Sequence, residues 1–328
     1  LDAEALAARV AAFAPELTVV TTAPTYLFWR CAPPELRVPA EFLSALAGRG
    51  GATLAVGPHA AVTPAAALRK LGVDQVIRGE CEEAIAAIAS AMARGEDPRA
   101  VPGTAWLEEG ELRTTGAPAV SRFVDHPPLD WPAEWLAAHR HHHHRFDAPP
   151  DGPGAEVEAS RGCPYDCSFC AKIGYRDAYR RRDLDAVLAE IDGLIAQGVT
   201  YVYFVDEIFL PQPKLLEALV DRPVVFGVQT HIDLWKPPLL ELLGRAGCVS
   251  VEAGLESLTA EGREQLAKRC RLDTPELAEL LIEARRHIPF VQANLIGVVE
   301  DSAELVERWR RRLIDAGVWA NEPVPLYP

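Results

Sequence analysis

Three cysteines, Cys163, Cys167 and Cys170, stand close together in the run Arg161-Gly162-Cys163-Pro164-Tyr165-Asp166-Cys167-Ser168-Phe169-Cys170. The spacing is C-x3-C-x2-C, with an aromatic residue just before the last cysteine. Soft thiolates select iron–sulfur clusters or zinc. A closed cluster or a structural zinc site wants four protein ligands, and this loop supplies three. One iron of a cluster would then be open to a small molecule.

The loop needs a scaffold, and the second half of the chain alternates strand and helix patterns around it. A strand over 155–160 runs straight into the cysteines. Asp183 can cap a helix whose apolar positions Leu184, Val187, Leu188, Ile191, Leu194 and Ile195 share one face, and Gly198 ends it. Strands follow over 200–205, 224–228, 249–253, 290–296 and 323–326, with a helix over 239–245. Thr274-Pro275-Glu276 starts another helix, with threonine as its cap. This predicts six strands in a parallel β/α series, a partial or full β/α (TIM-like) barrel. Its chemistry belongs at the carboxyl rim, where Asp206-Glu207, Gln229-Thr230-His231 and Gly254-Leu255-Glu256-Ser257 fall. Gln292 and Asn294 would point polar groups into the barrel.

The first half reads as a second α/β unit. Strands are expected over 17–22, 52–56 and 74–78, and helices over 40–46, 64–71 and 82–94. That alternation implies βαβ units and a parallel, Rossmann-like sheet. Thr22, Gly57-Pro58-His59 and Gly79-Glu80 fall at carboxyl ends of strands, where open α/β sheets bind ligands. A hairpin is expected over 105–112, turning at Glu109-Gly110, and a Pro-rich stretch follows. The expected division is an α/β domain over 1–118, a linker over 119–154 and a barrel over 155–328. The chain begins inside a helix pattern and ends just after a strand pattern, so both end domains are expected to be cut.

The cysteine loop after the first barrel strand resembles the signature of radical S-adenosylmethionine (SAM) enzymes. The resemblance implies a 4Fe–4S cluster on Cys163, Cys167 and Cys170, whose open iron chelates the amine and carboxylate of SAM. One electron then yields a 5′-deoxyadenosyl radical, which abstracts hydrogen from an unactivated carbon. By the same resemblance Phe169 lies by the adenine, and Glu256 and Ser257 meet the SAM ribose and methionine. Asp206 and Glu207 stand where many members carry a Gly-Gly-Glu contact for the SAM amine; that triplet is absent here. Gln229 is a further SAM candidate. One of Arg176, Arg180 and Arg182 could pair the SAM carboxylate, the others forming a solvated basic face.

A parallel α/β domain ahead of such a barrel is similar to the cobalamin-binding architecture of a large radical SAM subfamily. The resemblance implies that Thr22, Thr25, Gly57, Pro58, His59, Gly79 and Glu80 lie on loops carrying the corrin and its nucleotide tail. The D-x-H-x-x-G run that supplies a lower cobalt ligand in other cobalamin proteins is absent, so His59 is not assigned to cobalt. A cobalamin-dependent radical SAM enzyme that methylates an unactivated carbon is the leading expectation. A radical cyclase or rearrangement enzyme without methyl transfer is one alternative. A non-catalytic iron–sulfur or zinc protein is another.

Composition bounds the partners. The 328 residues are 49% hydrophobic and 24% charged, as in ordinary soluble domains. The net charge of −14 argues against a broad nucleic-acid footprint. No apolar run is long enough for a membrane span or resembles a signal peptide. Seven cysteines, an odd number, fit a reducing cytoplasm. The expected partners are a small-molecule or biosynthetic-intermediate substrate and an electron donor such as flavodoxin or ferredoxin. Cys31, Cys81, Cys248 and Cys270 read as small buried hydrophobes. The His139-Arg140-His141-His142-His143-His144 run reads as either an exposed segment or a metal site.

Overall fold

The computed structural model describes residues 2–22, 36–138, 152–170 and 178–325. Thr25, Cys31, Arg176 and the run His139–His144 lie outside the described residues. The chain divides into two compact units, one built chiefly from 1–122, the other from Phe123–Cys170 and Ala178–Pro328.

The first unit runs α1 (Ala3–Phe13), β1 (Leu17–Thr21), α2 (Arg37–Leu46), β2 (Ala52–Val56), α3 (Pro58–Val62), α4 (Pro64–Leu71), β3 (Gln75–Ile77), α5 (Glu82–Ala93), β4 (Thr104–Glu108) and β5 (Glu111–Thr114). The strands form one sheet in chain order; β1, β2 and β3 are parallel, β4 and β5 antiparallel. The alternation of β2 explains the layering. Leu54 and Val56 pack with Ile88 of α5 on one face, while Ala55 packs with Ala60 and Leu68 of α3 and α4 on the other. The hairpin turns at Glu109 and Gly110, both at positive φ (52° and 82°), which a tight type I′ connection requires. Pro58, read from sequence as part of a loop, instead opens α3, where its missing N–H costs nothing.

The second unit runs α6 (Ala133–Ala138), β6 (Gly154–Val157), β7 (Ser160–Arg161), β8 (Arg180–Arg181), α7 (Leu184–Ala196), β9 (Tyr201–Phe204), α8 (Pro213–Leu219), β10 (Val225–Thr230), α9 (Pro237–Arg245), β11 (Cys248–Glu256), α10 (Ala260–Gln265), α11 (Thr274–His287), β12 (Phe290–Gly297), α12 (Ala303–Asp315), β13 (Trp319–Ala320) and β14 (Val324–Pro325). Its main sheet has the order β6-β9-β10-β11-β12-β13, all parallel, with β14 also pairing β12. Strands joined by helices and laid side by side in chain order make the wall of a partial β/α barrel. Among the described residues β6 and β13 remain edges.

Local signals explain the helices that carry this wall. The Asp183 carboxylate caps α7 by accepting the Ala186 N–H, and Val187, Ile191 and Leu194 then fall on the buried face. In α11 the cap is Asp273, not the expected Thr274. Asp273 and Glu276 form a capping box, while the Thr274 hydroxyl donates to the Leu258 carbonyl at 3.0 Å. The expected linker is partly tied down. Arg182 pairs with Glu190 at 2.6 Å, donates to the carbonyls of His126 and Pro127, and Glu190 accepts the Leu129 N–H at 2.9 Å. Arg182, expected on a solvated face or beside SAM, is therefore a buried strut. Its charge is compensated by one carboxylate and several carbonyls. Among the described residues no helix is long and apolar enough to cross a membrane.

Candidate functional site: the cysteine loop and the carboxyl edge of the second sheet

The loop leaves β6 and is gripped from the end of β9. Asp206, 2% exposed, accepts the Ala159 N–H at 2.9 Å and the Ser160 hydroxyl. Burial pushes its carboxyl up to about 8, against the pull of those hydrogen bonds. Glu207 accepts the Gly162 N–H at 2.8 Å, and Gly162 holds φ of 85°, a conformation suited to glycine. Arg161 pairs with Glu158 at 2.7 Å and lies 4.4 Å over the Phe123 ring. Asp206, expected as a SAM contact, is thus spent within the protein: it fixes the turn that aims the cysteines. Glu207 contributes to the same grip from its half-buried position.

The far side of the loop meets β10 and β11. Tyr165, between the first two cysteines, stacks on His231 with centroids 4.5 Å apart. The Lys268 ammonium lies 3.1 Å from His231 Nε2 and 2.9 Å from Glu256 Oε1. Burial, helped by the Lys268 charge, pushes His231 down to about 2, so its ring is neutral. Nε2 then accepts from Lys268, and the proton sits on Nδ1, 3.9 Å from Asp233 Oδ1. Ser168 N–H donates to the Leu266 carbonyl at 3.0 Å, a further tie. Cys167 is buried, and Cys163, Cys170 and Phe169 are half-buried. Burial pushes the Cys167 thiol up, while the Lys268 charge draws it back.

Glu256 adopts φ of 67° where the β11–β12 register shifts, which turns its carboxylate back over Gly254. A Cβ on Gly254 would sit 2.6 Å from Glu256 Oε1 and 3.1 Å from Lys268 Nζ, so glycine makes room for the pair. Gln229 lies within β10, half-buried, with its amide 3.5 Å from the Glu207 carbonyl. Ser257 departs from its expected role. Its buried hydroxyl donates to Asp301 at 2.8 Å and accepts the Thr259 N–H, organising the start of α10 instead of facing a ligand.

The structure therefore gathers Cys163, Cys167, Cys170, Glu207 and Glu256 around one edge, and sets Asp206 and Ser257 behind it. Sequence reasoning missed Tyr165 and Lys268. Tyr165 had a signal, since it lies inside the cysteine loop. Lys268 sits in Lys268-Arg269-Cys270-Arg271, which reads as an ordinary solvated charge run.

In the first unit, Thr22 follows β1 and Gly57 follows β2. Thr22 is 2% exposed, yet its hydroxyl has no hydrogen-bond partner among the described residues. Gly57 holds φ of 102°, and a Cβ there would lie 3.0 Å from that hydroxyl. Pro58 and His59 lie in the first turn of α3, where burial and then Lys70 lower the His59 pKa. Gly79 and Glu80, expected at a ligand, turn to their own chain. A Cβ on Gly79 would collide with the Ala119 carbonyl, and Glu80 accepts the Ser121 N–H at 2.5 Å.

Residues 157–313 match the family model of the Radical SAM superfamily. The matched segment starts at the last residue of β6 and takes in the whole cysteine loop. The chain is 27% identical over 262 residues to the anaerobic magnesium-protoporphyrin IX monomethyl ester cyclase of Cereibacter sphaeroides, covering 74% of this chain and 41% of the relative. It is 27% identical to the hopanoid C-3 methylase of Methylococcus capsulatus, covering 82% and 53%. The chain thus spans about half the length of these curated relatives. Its fold is similar to that of TsrM from Kitasatospora setae, a radical SAM methyltransferase solved with cobalamin and a [4Fe–4S] cluster bound. The TM-score is 0.75 at 18% identity, covering 97% of this chain and 66% of that one.

The cysteine loop suits a 4Fe–4S cluster by donor chemistry: three soft thiols, none in a disulfide. Among the described residues no three metal-ligating side chains gather around a single-ion site. A four-iron cluster spreads its thiolates more widely than one ion does.

Proposed function

We propose that the protein is a cobalamin-dependent radical SAM methyltransferase. The observation that carries this reading is the three-thiol loop, gripped by Asp206 and Glu207 on one side and stacked through Tyr165 on the other. Three ligands held at a sheet edge leave one coordination position for SAM. Cys163, Cys167 and Cys170 would hold the irons. When bound, the reduced cluster supplies the electron that cleaves SAM and starts radical chemistry on the substrate. The chain's own residues orient and shield. Glu256, with Gln229 behind it, offers acceptors toward SAM at the rim, and Phe169 offers an apolar face. The packed wall of the barrel limits solvent.

Cobalamin is assigned to the α/β domain over 1–118, on Thr22 and Gly57. The buried hydroxyl, without a hydrogen-bond partner among the described residues, and the side-chain-free glycine beside it fit a ligand that approaches the backbone closely. Pro58 and His59 would flank it. The barrel over 155–328 takes SAM and a small-molecule substrate, and a flavodoxin- or ferredoxin-type protein supplies the electron. A radical cyclase without methyl transfer is the second reading, favoured by the likeness to the protoporphyrin ester cyclase.

The test is anaerobic reconstitution of the full-length protein with iron, sulfide and cobalamin, followed by reduction in the presence of SAM. Methyl transfer requires both 5′-deoxyadenosine and S-adenosylhomocysteine; a cyclase gives the first without the second. Cys167→Ala should abolish SAM cleavage. Deoxyadenosine formation at the wild-type rate in that variant would sink the assignment.

A further inference from the structure

Strands of a parallel sheet covered on both faces read as apolar runs. The second sheet follows that rule on its helix-facing side, where Val202, Val228, Val251, Ala253, Val291 and Ala293 pack into the large apolar core. The alternate positions carry Gln229, Ser250, Gln292 and Asn294. The other face, the inner wall of the partial barrel, is therefore rich in uncharged polar groups.

Register stacks these residues in layers. Ser250 lies between Gly227 and Phe290. One layer up, Gln229, Glu252 and Gln292 lie side by side, and above them Gly254 lies beside Asn294. Gln229, Gly254, Gln292 and Asn294 are only half-buried, so the upper layers of this wall are open rather than packed shut.

The charges on this wall are already matched. Glu156 and Glu252, the carboxylates of these strands on that face, each have an interaction partner. At the rim Glu256 pairs with Lys268. Two neutral oxygens are not matched. Ser250 is 1% exposed, and its Oγ has no hydrogen-bond partner among the described residues. Gln292 donates through Nε2 to Asn294 Oδ1, while its buried Oε1 has no partner among the described residues. A buried oxygen left unmet costs about 1–3 kcal/mol. Positions that break a local rule in this way tend to be functional.

Both oxygens can accept a hydrogen bond, and neither carries a charge. An uncharged O–H or N–H donor meets them. A hydrocarbon brings no donor, and an ammonium brings a charge that nothing unspent on the wall balances. A site built to hydrogen-bond such a donor discriminates strongly against an analogue without it, because its own polar atoms are then left unpaired.

We propose that this inner wall is the substrate subsite and that the substrate presents an uncharged hydrogen-bond donor, an amide N–H or a hydroxyl, to Gln292 Oε1 and Ser250 Oγ. Asn294 holds the Gln292 carboxamide in place and so fixes the direction of its free oxygen. The inference rests on the radical SAM reading for the rim above the wall, and deepens that reading by naming the substrate class.

The test uses the full-length, anaerobically reconstituted holoenzyme with SAM. Blocked dipeptide amides and methyl glycosides are measured by equilibrium dialysis. Each is paired with the ester or deoxy analogue that lacks the donor, and tryptamine and a hopanoid serve as contrasts. At least one donor-bearing compound should bind saturably, and its donor-free analogue at least tenfold more weakly. Binding in the peptide arm or in the glycoside arm supports the proposal and tells which source supplies the donor. Gln292→Leu should weaken that binding tenfold or more. Ser250→Ala removes a buried unmet oxygen, so it should fold at least as stably as the wild type and still bind more weakly. Equal binding of the donor-free analogue, undiminished binding to Ser250→Ala and Gln292→Leu, or binding of the contrast ligands alone overturns the proposal; so does a panel in which no donor-bearing compound binds. SAM cleavage by the wild type is recorded in parallel. Its absence would remove the radical SAM reading, whereas cleavage without donor-dependent binding would remove the substrate class alone.

Discussion

The imidazole of His231 stacks on the ring of Tyr165, with centroids 4.5 Å apart and planes inclined by 25°. One ring directly follows strand β10 and the other belongs to the cysteine loop, so the contact ties the loop to the edge of the sheet. Because His231 also receives the Lys268 ammonium, one side chain serves both the loop and the rim. Aromatic pairs contribute about 0.5–1.5 kcal/mol beyond their buried area. His231→Ala should loosen the loop and lower the iron retained after anaerobic desalting. His231→Phe should restore retention, since it keeps the stack and loses only the acceptor. Equal iron loss in both variants would place the effect on the hydrogen bond instead.

Lys268 is the cation that faces Glu256 and influences the Cys167 thiol. A positive charge near a cluster favours its more negative, reduced form. Removing it should lower the reduction potential, by an amount on the order of tens of millivolts for partly screened charges. Lys268→Met also leaves Glu256 without this ion-pair partner. An EPR-monitored redox titration of wild type and variant without SAM checks the shift. An unchanged potential would restrict Lys268 to packing.

Asp206 provides a pH test. Its carboxyl is held up near 8 by burial, far above the ordinary value of 3.8. An acid with a raised folded pKa contributes stability that is whole below the unfolded pKa and fades as pH rises through the folded one. The wild type should therefore lose thermal stability between about pH 4 and pH 8. Asp206→Asn, which cannot ionise, should lack that share of the decline. Melting curves across this range, with cluster-free protein, decide it. Parallel pH profiles for the two proteins would contradict the assignment.

Much of the scaffold was legible because hydrophobic period and turn chemistry agree along most of the chain. Residues 52–56 and 64–71 form the elements expected of them, and the main barrel strands fall close to their expected ranges. Roles were harder to read than positions. Asp206 and Ser257 lie at strand ends, where a ligand contact and a structural cap look alike in sequence. What separates them is direction: Asp206 points back at Ala159, and Ser257 points at Asp301, forty-four residues away in the chain. Lys268 was illegible for the same reason. Its role depends on a partner in β11 and another after β10, and nothing in its own neighbourhood encodes either. The β13 strand was missed because two residues carry no period.

Thr22 offers a test in which stability and binding should move apart. Its hydroxyl is buried without a hydrogen-bond partner among the described residues, a cost the ligand-free domain bears. Thr22→Val keeps the shape and removes the hydroxyl, so the ligand-free protein should melt at the same temperature or higher. Cobalamin retained after gel filtration, read from its visible absorbance, should fall. Gly57→Ala should act differently. It forces a side chain into φ of 102° and brings a Cβ within 3.0 Å of that hydroxyl, so both stability and cobalamin retention should drop, the former by about 1–3 kcal/mol. If Thr22→Val lowers the melting temperature instead, the hydroxyl has an internal partner, and the case for Thr22 as a cobalamin contact fails.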